Sequence, residues 1–346
     1  MRRALIALGI GLSVLGSTVV TGTARAASVT AVPLAHTVAA AQQVAKFWLA
    51  DGAANLKNAT PYAVRTAVGG ERLSTDIVPD GSPFSFPPDE METMPEGETP
   101  LTSGKVFFIG SDLQPHWCTG TAMRSKYWNI VATAGHCLLD VEAPAGPLAN
   151  WVFVPGYSEG TTPFGLYVGK QGFTHHDFDD IRDHDRDFAF VNVYRGVVLS
   201  SPDVLTSVGK LTENVGGQGI TFNQPLAPTV DVFGYPAGPQ PDGSTPYTGQ
   251  TLERSTGSTF TMKITGLPMD RPTGADSSFT GEGSLGSSWL TGYTSDNRVG
   301  YLNGITISVA DTDGDGRYDT GVSPYFDGQT LTVYRKAFDY WTGSIA

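Results

Sequence analysis

From Gly104 onward the chain is a succession of short β-branched or aromatic runs, each bounded by turn residues: "KVFFIG", "NIVATAG", "WVFVPG", "DFAFVNVY", "TVDVFGYP", "STFTMKITG", "RVGYLNGITISVA" and "QTLTVYR". Runs this short suit strands better than helices. The 42 glycines and 23 prolines among 346 residues supply turns between them. The spacing predicts an all-β barrel or sandwich over residues 104–346, with no internal repeat. The closing "TVYRKAFDYW" reads as a short terminal helix.

The first residues follow a different logic. "MRR", the apolar "ALIALGIGLSVLGSTVV" and then "TGTARA" form a charged, an apolar and a small-residue region, predicting a signal peptide over residues 1–26. Arg2 and Arg3 raise the twin-arginine route, but the flanks suit general secretion better. The apolar run is short for the ~20 residues of a spanning helix, and no second one follows, so no membrane association is expected. A net charge of -12 repels phosphate backbones and anionic lipid, which disfavours nucleic-acid and membrane-surface partners. The expectation is a secreted monomer. Export places Cys118 and Cys137 in an oxidising compartment, where two cysteines are more often bridged than free.

"HTVAAAQQVAKFWL" (36–49) carries helical periodicity, and "DGAANLKNATPY" reads as its stop and a turn. Residues 76–100 are rich in Pro, Asp and Glu and cannot fold alone, so they read as an exposed linker. Residues 27–103 then have the organisation of a propeptide with its tether; a permanent extension is the alternative.

"HWCTGTAMRSKYWNIVATAGHCL" (116–138) resembles the first catalytic segment of the trypsin/chymotrypsin-like serine peptidase superfamily. The resemblance implies that His136 is a general base and that Cys118 is bridged to Cys137. Closing such a loop stabilises by about 3 kcal/mol in the loop-entropy account and fixes the backbone beside the histidine. A buried structural histidine is the competing reading. The family's aspartate opens an apolar strand, which "DFAF" matches at Asp187; Asp183 and Asp185 do not open directly into that strand. His175, His176, Asp177, Asp179, Asp180 and His184 offer metal-type ligands without a converging spacing, and read as a solvated loop.

The third family motif is Gly-x-Ser-Gly-Gly/Ser-Pro. In "GEGSLGSSWL", anchoring on Trp289 and Leu290 puts Gly283 and Gly286 on the family glycines and Leu285 on the nucleophile. A hydrocarbon has neither proton nor lone pair for attack. Using Ser284 instead costs a one-residue slip that puts Leu285 on a glycine position; the oxyanion hole would then lie near the N–H of Gly283. No cysteine follows Cys137 to brace this loop, and Ser284 sits where trypsin-like zymogens keep an aspartate. "WVFVPGY", "FGYPAG" and "SPYFDG" also resemble bacterial, glutamyl-endopeptidase-like members. The resemblance implies two perpendicular six-stranded β-barrels, a peptide-binding cleft between them, and no cofactor for catalysis. Phe279 and Asn303 fall near the implied specificity pocket.

"DTDGDGRYD" (311–319) spaces Asp311, Asp313, Asp315 and Asp319 as in a D-x-D-x-D-G calcium loop. The twelfth position is Val322, so Asp327 is the candidate substitute acid; an Asp-Gly hairpin is the alternative. Three functions are thus in view: a pseudoprotease that keeps His136 and Asp187, an active endopeptidase using Ser284, and a non-catalytic secreted calcium-binding module.

Overall fold

The computed structural model describes residues 29–64, 66–91, 97–141 and 146–346; the expected signal peptide at 1–26 lies outside the described residues. The N-terminal segment runs β1 (Val29–Pro33), α1 (Val38–Asn58), β2 (Thr60–Pro61), β3 (Gly69–Arg72) and β4 (Phe84–Phe86). Then come β5 (Ser103–Ile109), β6 (Pro115–Met123), β7 (Ile130–Thr133), β8 (Ala149–Pro155), β9 (Tyr167–His175), α2 (His176–Ile181) and β10 (Ala189–Val193). The hairpin β11 (Gly196–Ser201) and β12 (Val204–Gly209) leads through α3 (Leu211–Val215) to the second half. That half holds β13 (Gly219–Phe222), β14 (Val230–Gly234), β15 (Glu253–Gly257), β16 (Thr259–Thr265) and β17 (Pro272–Asp276). It ends with β18 (Ser288–Thr294), β19 (Val299–Ile305), β20 (Ser308–Ala310), β21 (Thr320–Pro324) and α4 (Gly328–Phe338).

Strands β5, β6, β7, β10, β9 and β8 pair antiparallel in that order, and β8 returns to β5, closing a six-stranded barrel. The second half departs from the expected second closed barrel. It is a half-barrel of two sheets, β15-β14-β18-β19-β13-β4 and β20-β21-β17-β16-β3. One edge of each is covered by a strand from the N-terminal segment, β4 or β3, which pairs backbone groups that would otherwise be exposed.

The N-terminal segment is therefore built onto both halves. Thr37 caps α1 by accepting from the N–H of Ala40. The expected stop at "DG" appears as a break, with non-helical dihedrals over residues 50–53, after which the helix resumes to Asn58. Ala41, Ala45, Trp48 and Leu49 are buried in a core cluster with Phe107, Val152 and Val154 of the first barrel. Most described residues of the acidic, Pro-rich stretch are exposed, but part of it is held to the second half. Phe84–Phe86 pairs with β13, and Phe86 meets Tyr334 edge-on and stacks on Phe338.

The run "QTLTVYR", read as a strand, lies in α4. Asp327 caps this helix in a reciprocal box with Thr330, and that local chemistry overrides the β-branched composition. The expected terminal helix thus begins a few residues earlier than "TVYRKAFDYW" suggests. Among the described residues, no helix is long and apolar enough to cross a membrane.

Candidate active site

Adjacent strands bring the first two site residues together. β7 pairs with β10 in the register Thr133↔Ala189, and each strand has a single turn at this end. The turn Gly135–Cys137 after β7 carries His136; the turn His184–Arg186 before β10 delivers Asp187. Both side chains are buried, His136 at 4% and Asp187 at 1% exposure. Asp187 holds the histidine twice: Oδ2 lies 2.7 Å from Nδ1, and Oδ1 accepts the backbone N–H of His136 at 2.9 Å. Burial pushes the Asp187 carboxyl up, but the adjacent His136 and its hydrogen bonds outweigh this and hold it below its ordinary range. Cys118 and Cys137 form a disulfide that anchors the histidine turn to β6.

An imidazole that donates from Nδ1 to a carboxylate presents Nε2 as the acceptor for a proton. Here Nε2 of His136 is buried and has no hydrogen-bond partner among the described residues. An orphaned buried acceptor costs about 1–3 kcal/mol, so its lack of a partner is a feature of the site.

The loop between β17 and β18 carries the third segment. Gly283 and Gly286 adopt positive φ, +71° and +89°. A β-carbon at either would collide with a neighbour, Trp117 for Gly283 and the Thr119 carbonyl for Gly286. The loop is tied to the first barrel where Thr119 donates its N–H to Leu285 O at 2.8 Å and its hydroxyl to Gly283 O at 2.9 Å. Leu285 is fully buried in the same core cluster as Cys137. The neighbouring hydroxyls turn into the loop: Ser284 Oγ donates to Thr280 O (2.6 Å) and Gly281 O (3.1 Å), and Ser287 Oγ to Ser284 O (2.5 Å). Neither meets His136.

Sequence reasoning missed Tyr62. Its ring, 6% exposed, lies stacked over His136 at 6.4 Å between centroids and meets Phe108 edge-on at 5.0 Å. Its carbonyl accepts the N–H of Gly283 at 3.4 Å. No periodic signal marks "TPY", because every partner is remote in sequence.

Other candidates fall elsewhere. Asp185 accepts the N–H groups of Asp270 and Arg271, and Asp183 caps the turn before Asp187. The histidine-rich stretch is not a solvated loop: His175 caps α2 and His184 is buried. Phe279 is buried against Tyr247, whereas Asn303 lines a separate cavity with Thr221, Gln224 and Tyr301.

Between β20 and β21, carboxylate oxygens of Asp311, Asp313 and Asp315 lie within 4.8 Å of one another. Asp319 does not join them, since it accepts from the N–H and hydroxyl of Thr312. Asp327 is committed to capping α4 and to Arg186, so it is no substitute ligand.

No family model and no curated protein matches the sequence. Solved structures do. The protease Anisep from Arthrobacter nicotinovorans is 25% identical, with 70% of this chain and 98% of that one covered and a TM-score of 0.56. A thermostable serine protease, AL20, from an extremophilic microorganism is 25% identical over 69% of this chain and 97% of that one, with a TM-score of 0.54. A Glu endopeptidase is also similar, at 16% identity over 76% of this chain and 100% of that one, with a TM-score of 0.47. With one closed barrel, a half-barrel and a C-terminal helix, the chain is similar in structure to bacterial trypsin/chymotrypsin-like serine proteases.

Proposed function

We propose that this protein is a secreted, non-catalytic homologue of the serine proteases, one that keeps a peptide-binding cleft and has lost the nucleophile. One observation carries the reading: Nε2 of His136, oriented from behind by Asp187, has no hydroxyl to take a proton from. The residue at the motif's nucleophile position, Leu285, is a buried hydrocarbon. Ser284 is a poor replacement because its hydroxyl is engaged by two carbonyls of its own loop. A fluorophosphonate, which forms a covalent adduct with an activated serine, tests this. The expected result is no adduct on the unsubstituted chain; an adduct mapped to Ser284 would establish an active endopeptidase instead.

The reading includes a structural Ca²⁺ on the β20–β21 turn, held by Asp311, Asp313 and Asp315. Support comes from their mutual proximity and from Asx-type turns that hold each carboxylate, with Gly314 and Gly316 donating to Asp311. Asp319 plays no direct part. Chelation of the purified protein is expected to lower its Tm by a few degrees, restored by added Ca²⁺; an unchanged Tm removes the ion from the account.

A further inference from the structure

We propose that the occupant of the cleft is the chain's own N-terminal segment, residues 60–64 and 66–72, whose two ends add to the sheets of the two halves. The inference rests on the peptide-binding reading above and names the peptide. The segment enters beside the first barrel, where Thr60 and Pro61 pair parallel with His116 and Trp117 of β6. Tyr62 donates its N–H to Trp117 O at 2.9 Å and its carbonyl accepts from Gly283, the N–H expected to bind an oxyanion. Its ring lies near-parallel to that of His136, 6.4 Å away between centroids. The segment then crosses to the second half, where Thr66 O accepts from Val309 N and Val68 N donates to Val309 O, both at 2.9 Å. Gly69–Arg72 continues antiparallel to β16, and Arg72 pairs with Asp276 while stacking over Phe260.

Backbone pairing at both ends, with the Tyr62 side chain placed beside the histidine, is the recognition mode of strand addition. The fit is built from both sides. A β-carbon on Gly281 would sit 2.6 Å from the Cβ and carbonyl oxygen of Thr66, so the loop carries no side chain where the segment passes. The segment runs parallel to both β6 and β20, which fixes its polarity. A ligand that replaces it needs an extended backbone of the same polarity and an aromatic ring at the place of Tyr62. Tethering gives the segment an effective concentration on the order of millimolar, so micromolar free peptide does not displace it.

The test uses the full chain and a fluorescent synthetic peptide with the sequence of residues 58–73. Val68→Pro removes the N–H that bonds Val309 and loosens the segment; Arg72→Ala, which removes the Asp276 pair, serves if the proline variant does not fold. The unsubstituted chain is expected to protect the Val309 amide from hydrogen exchange and to show no peptide binding by anisotropy. The loosened chain should exchange at Val309 and bind the peptide at least tenfold more tightly than the unsubstituted chain, with Tyr62→Ala in the peptide weakening binding at least tenfold. An unprotected Val309 amide in the unsubstituted chain overturns the proposal without any variant. So does equal peptide binding by both chains, or no binding by a loosened chain. A fluorophosphonate adduct on Ser284 of the loosened chain would overturn the non-catalytic reading and leave this occupancy standing.

Discussion

Asp187 makes two bonds to one residue, His136, and fixes both its backbone and its ring. Asp187→Ala leaves both the backbone N–H and Nδ1 of His136 buried without an acceptor. It is expected to cost about 3–5 kcal/mol, the scale for breaking a buried pair, read by urea denaturation at pH 7. Because its folded-state carboxyl titrates below the unfolded value, this contribution is present above about pH 4 and fades as the pH falls through the depressed folded pKa. Asp187→Ala should therefore flatten the acid limb of the stability curve. Lys105 has the opposite consequence. It is buried, with its amine 3.6 Å from the centre of the Trp117 ring and 4.3 Å from that of Tyr157, and burial pushes it down to about 6. The unfolded chain holds that proton up to about pH 10.4, so between these values stability rises with pH. Lys105→Met is predicted to remove that rise, with most stabilisation at pH 6 and none above pH 11; a slope unchanged by the substitution would contradict it. The contact between His136 and Asp187 was legible because "TAGHC" and "DFAF" are local motifs on paired strands. Tyr62 was illegible because Trp117 and Gly283, its partners, are brought near only by the fold.

Elements were legible where one physical signal dominated. The short β-branched and aromatic runs of the first barrel became strands, as in β5, whose "SGKVFF" is buried throughout. α4 was obscured by Thr330, Thr332 and Val333, although Asp327 three residues before Thr330 is a readable cap. Phe84 and Phe86 were masked by the prolines and acids around them, since composition averages away two aromatics at strand spacing. α1 has the clearest consequence at this scale. Trp48 is fully buried, lies tilted against Phe107 at 5.7 Å between ring centroids and donates its indole N–H to Asn150 O. Trp48→Ala is expected to cost about 3–5 kcal/mol and to release α1 from the barrel before the barrel itself unfolds. Hydrogen exchange should show early loss of protection over residues 38–58; loss in step with β5 would mean that helix and barrel form one unit.

For the molecule as a whole, the two halves meet at a site whose two supports have separate fates. The first barrel carries the histidine, aspartate and disulfide, while the loop from the second half carries two glycines with Ser284 and Leu285 between them. The N-terminal segment crosses both and lies over the same place. The most direct measurement is fluorophosphonate labelling of chains loosened by Val68→Pro, with and without Leu285→Ser, after circular dichroism confirms folding. Removing a buried leucine side chain is expected to cost about 2–5 kcal/mol, so labelling is read well below the variant's Tm. The account predicts an adduct only on the Leu285→Ser chain, mapped to position 285. An adduct on the chain that retains Leu285, at Ser284 or Ser287, would contradict it.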